Sequence, residues 1–261
     1  MISSTPTWQW QNWNNLPYLT CSLLKDWQHG FFTQQFYPQT PEVLTEILKP
    51  DTRAYRVKQV HGNRVLTPGE IIQTETEADG IISDRPHQSV WVASADCTPL
   101  LIADRKTGRV GSLHAGWRGT AKGIAPVALE RFLSLGSRLE DLYCVMGPAI
   151  AGAVYQVTET VAAEIGSSLK EIPQTDSPRE VLTALERINH SPLHPDPTPG
   201  RVRIDVRQVN YLQLRQAGID PEQIAIAPYC TYQESEHFFS FRRTKEKKVQ
   251  WSGIVSPLNC C

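Results

Sequence analysis

A thiol and an imidazole flank one short turn in this chain. Ala95-Asp96-Cys97-Thr98-Pro99 runs into the apolar stretch Leu100 to Ala103, and Val110 to Leu113 leads out to His114-Ala115-Gly116-Trp117-Arg118-Gly119. The polar break Asp104-Arg105-Lys106-Thr107-Gly108 between them reads as a hairpin turn. A two-residue loop at Arg105-Lys106 predicts Cys97 directly opposite His114, with Cβ atoms about 4.5–5.5 Å apart. A glycine bulge at Gly108 would slip that register by one residue and turn one side chain to the other face. His61, in Val60-His61-Gly62-Asn63 at a strand-to-turn junction, completes a His, Cys, His set.

Neutral imidazoles and a thiolate are ligands that Zn²⁺ prefers, and three protein ligands leave a fourth position open, as in catalytic zinc sites. Water in that position has its pKa drawn toward ~7 and becomes a nucleophile. A second chemistry needs no metal: His114 beside Cys97 generates a nucleophilic thiolate. Taken singly, each of the three residues reads first as a packed core side chain. Asp96 either orients a ligand imidazole or accepts turn hydrogen bonds. The turn after His114 opens a helix, so its backbone N–H groups at Gly116 and the fork of Arg118 suit an anion, although the glycine alone also satisfies a tight turn. Arg242-Arg243 is either a substrate clamp or a solvated pair.

These residues need a scaffold. Strands are predicted at Trp8 to Trp13, Tyr18 to Leu23, Ala54 to Val60, Arg64 to Leu66, Ile81 to Ser83, Val90 to Ser94, Leu142 to Met146 and Ile224 to Pro228. Helices are predicted at Pro41 to Leu48, Gly119 to Leu135, Val157 to Leu169 and Ile204 to Ala217, the last capped by Asp205 and ended by Gly218. The proline-rich segment 172–203 reads as a surface excursion of low order with a short helix near Val181 to Ile188.

With 26 basic and 27 acidic residues the net charge is −1, which argues against a general nucleic-acid binder. No apolar run approaches a membrane span and the first residues lack the pattern of a signal peptide, so a cytoplasmic protein is expected. Six cysteines without CxxC spacing fit reduced thiols better than a disulfide frame.

Val60-His61-Gly62, Ala78-Asp79-Gly80, Ser94-Ala95-Asp96-Cys97-Thr98-Pro99-Leu100, His114-Ala115-Gly116-Trp117-Arg118-Gly119-Thr120, Gly147-Pro148-Ala149-Ile150 and Phe239-Ser240-Phe241-Arg242-Arg243 follow one another across residues 55 to 256. In that combination the chain resembles the YfiH-like family, called laccase-domain or polyphenol oxidase proteins and later described as purine nucleoside phosphorylases. The resemblance implies one domain over residues 1–261 with an α+β fold, a four-layer α/β/β/α sandwich of mixed sheets. It also implies zinc held by His61, Cys97 and His114, and phosphorolysis of adenosine, inosine and methylthioadenosine with adenosine deamination as a second activity. The expected partners are a nucleoside and phosphate, with a monomer favoured and neither nucleic acid nor membrane involved. Some relatives are described as peptidoglycan-editing amidases, a role for Cys97 as nucleophile. Copper-dependent phenol oxidation is the weakest alternative, because the chain has no His-x-His pair from which to build a copper cluster. The chain departs from the family's pattern at Gln34-Gln35, at Gln156 and after Arg243, changes that bear on substrate selectivity more than on metal binding.

Overall fold

The computed structural model describes residues 6–72 and 75–257. The first part of the chain forms β1 (Trp8–Trp13), β2 (Leu16–Cys21), β3 (His29–Phe32), α1 (Pro41–Leu48), β4 (Arg53–Tyr55), β5 (Val65–Leu66) and β6 (Gly80–Ile82). The middle forms β7 (Gln88–Ser94), β8 (Thr98–Asp104), β9 (Val110–Ala115), α2 (Trp117–Ala121), α3 (Ile124–Ser134) and β10 (Leu142–Met146). Next come β11 (Gln156–Thr158), α4 (Glu159–Gly166), α5 (Pro178–Arg187), β12 (Leu193–His194), β13 (Arg201–Ile204) and α6 (Val206–Gln216). The chain closes with β14 (Ile224–Ile226), α7 (Phe241–Thr244) and β15 (Gln250–Val255).

Two six-stranded mixed sheets, in the orders β1-β2-β3-β15-β7-β4 and β14-β10-β8-β9-β6-β5, stack face to face. Alternation along β8 shows why. Leu100 and Ile102 point to the helical side, packing with Phe132 of α3 and Leu214 of α6. Leu101 and Ala103 point the other way, into the space shared with Leu19, Phe31 and Ile254 of the first sheet. A strand buried on both faces reads as a continuous apolar run, as Leu100 to Ala103 does. On the far side of the first sheet, Leu44 and Leu48 of α1 cover Phe32 and Trp91. The order helix, sheet, sheet, helix is the expected four-layer sandwich.

The hairpin register differs from the expectation. Pro99 pairs with His114 and Thr98 with Ala115, so the ladder is displaced by two residues from a Cys97–His114 pairing. The cause is a four-residue loop: Asp104 takes the N–H of Lys106 at 2.7 Å and of Thr107 at 2.9 Å on its carboxylate, and Gly108 adopts φ +74°. A displacement of two preserves which face each side chain occupies, so Cys97 and His114 remain on the same side.

Other boundaries also move. The helix expected over Gly119 to Leu135 is two helices, broken where Gly123 takes φ +71°. Pro126 then falls in the first turn of α3, where its missing N–H costs nothing. The strand expected to Val60 stops at Tyr55, and Gln59 makes its own two bonds to Ala93, donating to its carbonyl at 2.8 Å and accepting its N–H at 2.7 Å. The helix expected from Val157 starts at Glu159 after β11, with the Thr158 hydroxyl accepting the N–H of Val161. Segment 172–203 is no loose excursion. Its helix α5 buries Val181, Leu182 and Leu185 against Ile165 of α4, and β12 and β13 complete a three-stranded sheet with β11. Helices α1 and α6 stand as expected, the latter with Asp205 accepting the N–H groups of Arg207 and Gln208.

Cys21, Cys97, Cys144 and Cys230 are free thiols, while Cys260 and Cys261 lie outside the described residues. No described helix is long and apolar enough to cross a membrane.

Candidate metal and anion site

His61, Cys97 and His114 come together. Their ligand atoms lie within 4.8 Å of one another, and the two imidazoles meet nearly edge-on with centroids 4.8 Å apart. Among the described residues this is the one group of three or more such side chains placed to hold a metal. His114 is buried at the end of β9, Cys97 precedes β8, and His61 sits in an exposed loop with φ +58°.

Asp79, fully buried one residue before β6, organises the set. Its Oδ1 accepts the Nδ1–H of His114 at 2.9 Å, which anchors the ring through Nδ1 and leaves Nε2 as the atom facing the site, able to take a metal ion in place of its proton. The same carboxylate accepts three consecutive backbone N–H groups, from Val60 at 3.2 Å, His61 at 2.9 Å and Gly62 at 2.7 Å. The loop thus wraps an internal anion, which explains how a non-glycine residue is held at positive φ. Burial alone would raise the Asp79 pKa, but His114 and the N–H groups bring it below the usual carboxylate range. Asp96 was the sequence candidate for this role. Its side chain instead accepts the Thr231 hydroxyl at 2.7 Å and the Arg242 N–H at 2.7 Å.

Electrostatics favours a thiolate. Burial pushes the Cys97 thiol up, yet the His114 and His61 imidazoles outweigh it and bring the pKa down to about 6. Burial likewise opposes an imidazolium at His114, yet Cys97 and Asp79 raise it to about 9. A thiolate, one imidazole anchored through Nδ1 and a second in an exposed loop fit a borderline-soft divalent ion in a site with one open side. Gly116 serves this packing: a Cβ there would lie 2.7 Å from the Cys97 sulfur and 3.4 Å from the His61 ring.

The expected anion contacts divide. Arg118 is exposed, with its guanidinium 4.3 Å from the centre of the Trp117 ring and no carboxylate partner among the described residues. Arg242 lies 4.7 Å over the Tyr155 ring and donates to the Gln156 carbonyl at 2.7 Å. Arg243 is spent on structure, donating to the carbonyls of Thr231, Tyr232 and Phe238. Tyr155, which sequence reasoning passed over, is mostly buried, and its hydroxyl is pushed up to about 12 by burial and by the charge of Cys97, against the pull of Arg242 and Arg118. It therefore stands neutral within reach of the charges of the thiol and of both cations.

The remaining histidines take no part. His29 is a saturated core residue, with Nε2 accepting the Cys21 N–H at 2.9 Å and Nδ1 donating to the Trp27 carbonyl at 2.8 Å. His190 and His194 are exposed, and His237 packs against Trp10 with the two rings tilted and their centroids 4.7 Å apart. Gln34 and Gln156, the two departures, are engaged elsewhere, with the carbonyl of Ser235 and the carboxylate of Asp196.

The family described as multi-copper polyphenol oxidoreductase laccase matches residues 39–255. A protein of Synechocystis sp. named purine nucleoside phosphorylase is 53% identical over 263 residues, covering 98% of this chain and 100% of that protein. One of Mycobacterium bovis with the same name is 32% identical over 195 residues, covering 74% of this chain and 68% of its own. Among solved structures, the hypothetical protein YfiH of Bacillus licheniformis superposes with a TM-score of 0.74 at 26% identity, over 91% of this chain and 96% of that one. YlmD from Geobacillus stearothermophilus gives 0.77 at 24% identity, over 95% and 98%, a likeness of fold. The YfiH-like resemblance and the α+β architecture are thus borne out.

Proposed function

The chain belongs to the multi-copper polyphenol oxidoreductase laccase family, and on that premise we propose that it is a zinc-dependent purine nucleoside phosphorylase. Its substrates would be adenosine, inosine and methylthioadenosine, with adenosine deamination as a second activity. The observation that carries the reading is the His61, Cys97, His114 set backed by Asp79, beside Tyr155, which lies under Arg242 and whose hydroxyl feels the charges of Cys97, Arg242 and Arg118. The name borne by the relative 53% identical to it supports the substrate class.

In phosphorolysis a phosphate oxygen forms a bond to C1′ of the ribose while the bond from C1′ to the purine nitrogen breaks. The base leaves with that electron pair and takes up a proton. Zinc, when bound, supplies a Lewis acid at the open side of the donor set. Two guanidinium groups hold the phosphate dianion, because their planar forks match its oxygens. Asp79 keeps the Nε2 of His114 turned to the site. The neutral Tyr155 hydroxyl offers a hydrogen bond to the sugar or phosphate without adding a repelling charge. Zinc is chosen over copper because a multicopper oxidase needs a second, histidine-rich cluster, and the described residues hold only one candidate set.

Purified protein loaded with zinc and given inosine in phosphate should release hypoxanthine and ribose 1-phosphate in equal amounts, and release neither when phosphate is omitted. Ammonia from adenosine in the same assay reports the second activity. Absence of free base from adenosine and inosine alike would overturn the phosphorylase reading.

One observation favours a second reading. Cys97, His114 and Asp79 stand in line as thiol, imidazole and carboxylate, the order of a cysteine hydrolase. A peptidoglycan-editing amidase built on it keeps its activity after chelation and loses it in Cys97→Ser, with a serine-containing muropeptide precursor as substrate.

A further inference from the structure

Asp96 adjoins Cys97 and holds φ +86°. Its two carboxylate oxygens reach different parts of the chain: Oδ1 accepts the hydroxyl of Thr231 and Oδ2 the backbone N–H of Arg242, each at 2.7 Å. Its main-chain carbonyl accepts the N–H of Ile150 at 3.0 Å. The turn that carries the thiol is thereby tied to α7 and to the loop before it.

That tie sets the rotation of α7. Ser240 caps the N–H of Arg243 at 3.2 Å, and Asp96 reaches in from outside to take that of Arg242. With both N–H groups held, consecutive arginines are sent in opposite directions. The guanidinium of Arg243 turns inward onto three backbone carbonyls. That of Arg242 turns over Tyr155 and toward Gln156, and its Nε and Nη2 groups have no hydrogen-bond partner among the described residues. Arg118, likewise without a carboxylate partner among the described residues, rests on the Trp117 ring, and its charge, like that of Arg242, pulls on the same tyrosine hydroxyl.

Resting on the phosphorylase reading, we propose that Asp96 is a positioning residue for the inorganic phosphate, acting through Arg242 and not through the metal ligands. A carboxylate that merely closed a turn would affect folding alone. One that aims a guanidinium changes the hold on the anion and leaves the hold on the nucleoside as it was.

Asp96→Asn is the informative variant, because asparagine accepts positive φ and keeps one acceptor while losing the charge. Calorimetry of inorganic phosphate binding to the zinc-loaded protein is the first readout, and steady-state kinetics with inosine the second. We expect phosphate affinity to fall about tenfold or more, and the KM for phosphate to rise to match, with zinc content and the KM for inosine near wild type. Arg242→Ala should do the same, and the double variant should be no weaker than Arg242→Ala alone, because the two act as a unit. Thr231→Val, which removes the other arm of the tie, should weaken phosphate binding in the same direction and serves if Asp96→Asn fails to fold. Unchanged phosphate affinity in Asp96→Asn, or losses that add in the double variant, would overturn the assignment. If the wild type binds phosphate in this Asp96-dependent way but releases no base, the phosphorylase reading falls and the positioning role stands. Wild type that binds no phosphate overturns both.

Discussion

Asp79 links the two halves of the site, because one carboxylate both orients His114 and gathers the N–H groups of the His61 loop. Replacing it by asparagine puts an NH₂ group where an acceptor is needed, and the His114 ring or the loop must yield. Asp79→Asn should lower zinc affinity by about 10–100-fold, as measured by competition with a chromogenic chelator. His29 offers a separate test, one of stability. Its burial lowers its pKa in the folded protein to about 4, whereas in the unfolded chain it titrates near about 6.5. Between those values the unfolded chain binds more protons, so the contribution is complete above pH 6.5 and is lost as the pH falls toward 4. Urea unfolding should show a loss of about 3 kcal/mol from this group over that window, with a shallower dependence in His29→Gln. The nearness of Cys97 and His114 was legible from the hairpin between them, and His61 joined them in sequence only through its residue type, its strand-end position and the family motifs. Asp79 was not legible, because a carboxylate in an Ala-Asp-Gly turn has no visible partner until the turn is folded beside His114, whereas Asp96 drew attention only by adjacency to Cys97.

At the scale of elements, the hairpin shows what sequence can and cannot fix. The turn and both strands were legible from the polar break between apolar runs, but the loop length was not, since it depends on the Asp104 carboxylate bonding to two N–H groups. The even displacement left the site intact, which is why the juxtaposition of Cys97 and His114 survived the wrong register. The glycine after this hairpin is a sensitive position. Gly116→Ala places a methyl group against the Cys97 sulfur, and should weaken metal binding while the circular dichroism of the fold is retained. The lobe of α4 and α5 was underestimated because its few apolar residues, Val181, Leu182 and Leu185, lie among prolines and charges. Their burial makes a stability prediction: Leu185→Ala should destabilise the protein by about 2–5 kcal/mol in denaturant unfolding. Trp117, at the start of α2, packs on that same core, so the lobe also buttresses the residue on which Arg118 rests.

Across the whole molecule, the two stacked sheets bring residues from distant parts of the chain to one end of β8 and β9. Layering was legible only through the family motifs, and the strand of β8, buried on both faces, gives its physical reason, since it demands cover on both sides. Which loops meet at the strand ends was legible only through the motifs, because the meeting of residues 61, 97, 114, 155 and 242 is set by crossovers between non-consecutive strands. The proposed zinc chemistry requires that His61, Cys97 and His114 hold one metal ion among them. Elemental analysis of the wild type and of His61→Ala, Cys97→Ala and His114→Ala tests it most directly. One equivalent of zinc per chain in the wild type, and its loss in each variant that remains folded, is the predicted result; full zinc retained in Cys97→Ala, or none in the wild type after reconstitution, would contradict it.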